Sequence, residues 1–210
     1  RSVSRGLGDV YKRQTLICLI VGYPVAYIIS KARVSRRGSL ILLFILPMWM
    51  NFLLRTYAWV AILGKNGLLN TFLGWFGIQP LAILYTNFAI LLGMVYNFLP
   101  FMVLPIYTAL SKMDNDLINA AHDLGANNMT VFRKIIFPLS LPGVMSGITM
   151  VFMPAVTTFA ISRLLGGGKI MLVGDLIEQQ FTVVGDWNFG SAISIFMMLS
   201  LIHISEPTRH

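Results

Sequence analysis

The residue types that catalyse reactions or hold metals are scarce in this chain. Its single cysteine, Cys18, stands in an apolar run, so there is neither a disulfide framework nor a thiolate pair for a metal. His122 is the only histidine outside the C-terminal residues, and no paired acids, Ser/His sets or metal ligands lie in the apolar runs. That composition argues against an intramembrane hydrolase. A phosphate loop requires G-x-x-x-x-G-K-[ST], but the nearest letters, RLLGGGKI, put Arg163 at the first Gly and Ile170 at the hydroxyl. What remains is non-covalent chemistry: docking, and attraction of a cation by Asp175, Glu178 and Asp186.

One polar stretch stands between long apolar runs, residues 111–142, SKMDNDLINAAHDLGANNMTVFRKIIFPLSLP. Met113, Leu117, Ala120 or Ala121, and Leu124 recur at helical spacing, which predicts an amphipathic helix over residues 111–124. Ser111 with Asp114 approximates a capping box, and Asp114 and Asp116 suit the positive helix N-terminus. Ala120 and Ala121 carry little side chain, so another surface can approach the backbone there. Gly125 can take a positive φ and end the helix. Asn127 or Asn128 then caps a second short helix, 129–136, which Pro138 is expected to stop. The product is two short helices meeting at a sharp corner.

The elements around this stretch belong to a membrane protein. Hydrophobic residues make up 56% of the 210 and charged ones 11%, whereas a soluble domain is roughly a quarter charged. The expected architecture is all-α, a polytopic membrane helical bundle with spans at about 15–30, 39–64, 81–110, 139–164 and 189–202. The cytoplasmic loop is 111–137. The first and last runs are short of the ~20 residues a span needs, and each abuts an unrelated polar tail, 1–14 and 203–210. These tails are expected to be foreign or unstructured. Orientation follows from basic residues: Lys31, Arg33, Arg36, Arg37, Lys112, Arg133 and Lys134 fall on one side, against Lys65, Arg163 and Lys169 on the other. The polar loop is therefore cytoplasmic. In this class the formal charge of +8 reports loop charge rather than nucleic-acid binding. Within the spans, Trp49, Tyr57, Trp59 and Tyr96 are candidates for an aromatic surface along a path. Asn51, Asn97, Thr157 and Thr158 either line that path or join helices, and Arg55 either shares it or snorkels outward.

Asn119-Ala120-Ala121, then Gly125, nine residues, and Ile135-Ile136-Phe137-Pro138 resemble the cytoplasmic EAA loop of ABC-importer permeases. Asn119 stands where that pattern has Glu, and Phe137 where it has Leu. The resemblance implies a type I importer permease fold whose first helix is missing here. It also implies a loop (Asn119, Ala120, Ala121, Asp123, Gly125, Ile135, Pro138) that docks an ABC ATPase dimer. ATP and Mg would then be bound by that partner, and no cofactor or metal by this chain. GYPVAYIIS (22–30), PMWMNFLLRTYAW (47–59), the LLGGG…DLIEQQF segment (164–181) and GDWNFGSAIS (185–194) look like the spermidine/putrescine permease subfamily. That likeness implies a second, paralogous permease, an extracytoplasmic polyamine-binding protein, and a place in the bacterial cytoplasmic membrane. The alternatives are another small solute, an ATP-independent channel, and a membrane assembly protein.

Overall fold

A backbone in hydrocarbon must satisfy its own polar groups, which leaves helices or closed barrels, and long continuous apolar runs rather than alternating ones point to helices. The computed structural model describes residues 3–168 and 171–205, so Arg1, Ser2, Lys169, Ile170 and residues 206–210, which include parts of both expected tails, lie outside the described residues. Among these it contains eleven α-helices, two π-helical turns and no strand. The helices are α1 (Val3–Lys31), α2 (Val34–Trp49), α3 (Phe52–Leu63), α4 (Leu68–Trp75), α5 (Asn87–Ser111), α6 (Asn115–Asp123), α7 (Asn128–Val131), α8 (Phe137–Thr157), α9 (Ala160–Gly166), α10 (Val173–Gln179) and α11 (Trp187–Ser205). Three stretches are long and apolar enough to cross a membrane: Val10–Lys31, Asn87–Ser111 and Asn128–Thr157. Val34–Trp49 and Phe52–Trp75 pass the same test only together, as a broken span or a re-entrant loop, and Trp187–His203 is a shorter apolar helix.

Several expected boundaries move, each for a local reason. α1 begins at Val3 rather than Thr15, so most of the expected N-terminal tail is helical; Tyr11 and Gln14 within it are buried. α11 likewise runs on to Ser205, past the expected end at 202. The expected span 39–64 is interrupted, because the Asn51 side chain accepts from the N–H groups of Leu53 (2.8 Å) and Leu54 (3.3 Å) and starts a new helix. The span expected at 81–110 starts only at Asn87. Leu81 is instead clasped by buried Asn70, which accepts from its N–H at 2.8 Å and donates to its carbonyl at 3.1 Å. The span expected at 139–164 breaks after Thr157, whose hydroxyl turns back on the carbonyls of Met153 and Pro154.

The chain divides into two compact units. One comprises Thr15–Trp49 and Phe98–Val151. In it α8 crosses α5 at two glycines one helical turn apart, Gly143 and Gly147. A Cβ at Gly143 would stand 2.8 Å from the Pro105 carbonyl oxygen and 2.6 Å from the Ala109 Cβ. One at Gly147 would meet Met102 Sδ at 2.8 Å, and one at Gly22 of α1 would meet Met102 Cγ at 3.0 Å. Met102, fully buried, therefore lies against glycines of both α1 and α8. This is the small-residue packing that lets membrane helices touch.

The other unit comprises Met50–Asn97 with the described residues before Thr15 and after Val151. Here Gly93 of α5 receives the Leu165 side chain, and Gly166 receives Ile90. Tyr85 takes a positive φ of 65° and donates its N–H to the Leu165 carbonyl at 2.9 Å. Its ring covers Gly167, itself at φ 60° and ending α9.

Gly143→Val forces the carbonyl of Pro105 and the Ala109 methyl apart. It is expected to lower stability in detergent by about 1–3 kcal/mol. Gly38→Val, at a site where a Cβ meets nothing within 4 Å, should shift the unfolding midpoint far less. Equal shifts in the two variants would contradict the glycine crossing.

Candidate coupling site

The polar stretch folds into an elbow whose every turn has an identifiable cap. α5 runs on to Ser111, so the expected helix over 111–124 and its Ser111 capping box do not form. Asp114 is the N-cap instead, its Oδ1 accepting from the Asp116 N–H at 2.9 Å. α6 ends at Gly125, which sits at φ 79°. There the Gly125 N–H reaches the His122 carbonyl (2.8 Å) and the Ala126 N–H the Ala121 carbonyl (3.0 Å), the two bonds of a Schellman motif. His122 adds a third tie, its Nδ1 donating to the Ala126 carbonyl at 3.0 Å. Asn127 then opens α7, accepting from the Thr130 N–H at 2.8 Å.

Pro138 does not stop the second helix. A π-turn over Phe132–Ile136 joins α7 to α8, with the Phe137 N–H bonded to the Phe132 carbonyl. Proline removes a donor and crowds the carbonyl four residues back. The wider turn just before it accommodates both effects, so elbow and span form one continuous helical run, Asn128–Thr157.

That run is seated on α1. Ser140, fully buried, donates to the Phe137 carbonyl at 2.8 Å, so the Tyr23 hydroxyl donates to Ser140 at 2.9 Å. The Tyr23 ring lies 6.1 Å from Phe132, edge to face, and 5.9 Å from Phe137; Tyr27 meets Phe132 edge-on at 5.8 Å. Such pairs are worth about 0.5–1.5 kcal/mol each beyond their burial. Neither tyrosine nor Phe132 stands out in the sequence, although Tyr23 and Tyr27 are spaced four apart, as partners on one helix face must be.

No residue of α6 is buried. Asn119, Ala120, Asp123, Gly125 and Pro138 are exposed; Ala121 and Ile135 are half-buried. The apolar residues of the elbow do not share one inward face. Met113 and Ile118 turn partly inward, while Leu117, Leu124 and Met129 are 51, 89 and 65% exposed. A rigid corner carrying uncovered leucines and a methionine beside small residues is suited to receive another protein surface.

The residues proposed for a path do not converge. Trp49 is 78% exposed. Asn51 is the exposed cap of α3, and Thr157 bonds its own helix. Tyr57 borders an open cleft with Tyr85 and Arg163. Asn97 is buried, donating to the Gly93 carbonyl at 2.8 Å, while its Oδ1 has no partner among the described residues. Trp59 meets Tyr96 edge-on at 5.2 Å, and the Arg55 guanidinium lies 5.9 Å from the Tyr96 ring.

The three acids are each engaged within the chain. Glu178 pairs with Arg163 at 2.7 Å. Asp186 caps α11 through the Phe189 N–H at 3.0 Å. Asp175 Oδ2 accepts from Ser162 (2.6 Å) and from the Leu172 N–H (2.8 Å). Burial pushes its carboxyl above the ordinary value, more than Ser162, the Leu172 N–H and nearby Arg163 pull it down.

Comparison with known proteins follows the same outline. The family described as "Binding-protein-dependent transport system inner membrane component" matches residues 19–206. The spermidine/putrescine transport system permease protein PotB of Haemophilus influenzae is 46% identical over 183 residues, 86% of this chain and 64% of that protein. PotB of Escherichia coli K12 is 42% identical over 187 residues, 88% of this chain and 68% of that protein. The chain thus spans about two thirds of the length of these curated relatives. Among solved structures, a bacterial alginate ABC transporter bound to its periplasmic protein superposes with a TM-score of 0.76. It does so at 16% identity, over 94% of this chain and 74% of that one, a likeness of fold.

Two outcomes test the local geometry. Gly125→Ala should cost about 1–2 kcal/mol through its positive φ alone, since a Cβ there meets nothing. Gly125→Asn should cost less, with hydrogen exchange at position 125 and at Ala126 as the readout. For Asp175, the raised folded pKa means that the native state holds the proton more tightly. Its stabilisation is full below the unfolded carboxylate pKa and is lost as pH rises through the folded one. Asp175→Asn should flatten that fall in a pH series of thermal unfolding.

Proposed function

This chain belongs to the family of binding-protein-dependent transport system inner membrane components, and we propose that it is one permease subunit of an ATP-driven importer of spermidine and putrescine. The observation that carries the coupling role is the capped elbow, α6 to α7, with Leu117, Leu124 and Met129 uncovered around Gly125. Its fitting partner is an ABC ATPase. ATP and Mg belong to that partner, because this chain has no phosphate loop of its own. Closure of two ATPase subunits on ATP shifts the docked elbows, and the spans alternate between inward- and outward-open states. A ligand drives such a shift only through different affinity for the two states, which ATP supplies from another polypeptide.

The polyamine substrate is supported by relatives at 42–46% identity whose names specify spermidine and putrescine. No Asp or Glu lies in the expected spans, so a polycation passing them is held by carbonyls and aromatic faces rather than by buried carboxylates. The expected assembly joins this chain to a paralogous permease, an ATPase dimer and an extracytoplasmic polyamine-binding protein.

Uptake of labelled spermidine into proteoliposomes holding these components tests the proposal. ATP-dependent uptake should fall by roughly tenfold or more in Leu124→Asp, a change at a position exposed enough to leave folding intact, and likewise in Gly125→Arg. Uptake that ignores both ATP and these variants would overturn the importer reading. ATP hydrolysis stimulated by a different solute would replace the polyamine and keep the rest.

A further inference from the structure

A second site lies on the inner flank of the elbow, within the unit that carries it. The end of α1, the start of α2, the end of α5 and the first turn of α6 enclose a cleft of ≈ 90 Å³. This is several times the ~10–15 Å³ that one water requires. Ser30, Lys31, Arg37, Ser111 and Asn115 line it, over an apolar floor that includes Ile118. Ser30 and Ser111 commit their hydroxyl protons to the carbonyls of Tyr27 (2.7 Å) and Thr108 (3.1 Å). The Arg37 Nε donates to the Ala32 carbonyl at 2.8 Å, which fixes the guanidinium at the rim. Its terminal nitrogens, the Lys31 ammonium and the Asn115 amide remain as donors. Among the described residues no carboxylate lines the cleft, and neither cation forms an ion pair.

Two cations, an amide donor and no acid define an oxyanion site of phosphate size. Its position is at the last turn of a membrane-crossing helix, where Lys31 ends Val10–Lys31 and where lipid headgroups lie. We propose that this cleft binds the phosphate of an anionic phospholipid headgroup in the cytoplasmic leaflet. Basic pockets between helices on the cytoplasmic side attract such lipids. The assignment rests on the importer reading only for which face is cytoplasmic. It brings the lipid against Asn115 and Ile118, on the side of α6 opposite the exposed Leu124.

The test uses the full chain in neutral detergent, titrated with short-chain phosphatidylglycerol, short-chain phosphatidylcholine or inorganic phosphate, with native mass spectrometry as the readout. Transport is not involved, so failure here is separable from failure of the importer reading. Phosphatidylglycerol should bind in preference to phosphatidylcholine, and Lys31→Gln should weaken it about fivefold. Arg36→Gln, in the same basic loop but outside the cleft, should weaken it less than twofold. Equal losses in the two variants would mean diffuse surface attraction and overturn the site. Equal binding of the two lipids, or displacement of phosphatidylglycerol by an equal concentration of inorganic phosphate, would overturn the lipid as the source.

Discussion

Helices in a bilayer gain little hydrophobic free energy by touching, because lipid tails are as apolar as leucine, so close van der Waals fit has to hold them. In the elbow-bearing unit that fit is concentrated where Gly143 and Gly147 admit the backbone of α5 and the side chain of Met102. Gly22 admits the same methionine from α1. The seating of Tyr23 and Tyr27 on Phe132 and Ser140 depends on α1 and α8 lying at this distance. So does the cleft at Lys31 and Arg37, whose walls come from four helix ends. Removing the glycines would disturb the elbow without touching any of its residues.

Where a new helix must begin, a short polar side chain begins it. Asn51, Asp114, Asn127 and Asp186 each accept from the first free N–H groups of a helix, and Asn70 clasps the stretch before α5. An orphan amide in an apolar setting costs several kcal/mol, so these caps fix the breaks as firmly as the apolar runs fix the spans. That accounts for the dispersal of the polar residues proposed for a path: Asn51 and Thr157 serve their own backbone. Among these residues Asn97 alone combines burial with a partnerless acceptor.

Hydropathy made the spans legible, and Gly125 between two cappable segments made the corner legible. The ends of elements were not. A run such as 39–64 averages apolar across a break that one asparagine creates, and averaging cannot detect a side chain accepting from its own backbone. Ser111 and Asp114 sit three apart and satisfy a capping pattern, yet the preceding helix persists through Ser111 and leaves only Asp114 to cap. Pro138 read as a stop because a π-turn has no sequence signature. The Tyr23/Tyr27 pair and the Gly143/Gly147 pair are visible in the letters, but their meaning depends on the partner helix, which a single sequence does not pair. Family resemblance supplied what periodicity could not, the role proposed for the corner.

The π-turn also sets the mechanics of the elbow. Because no loop separates α7 from α8, a displacement imposed on the corner is carried into the bilayer by a stiff rod rather than absorbed by slack chain. Residues 128–151 alone extend about 36 Å at 1.5 Å per residue, so a 5° tilt at one end sweeps about 3 Å at the other. Tyr23 and Tyr27 both grip the wide turn through the Phe132 ring. Under the coupling role proposed for the corner, this contact with α1 would be the fulcrum, and its place near the driven end would favour travel over force.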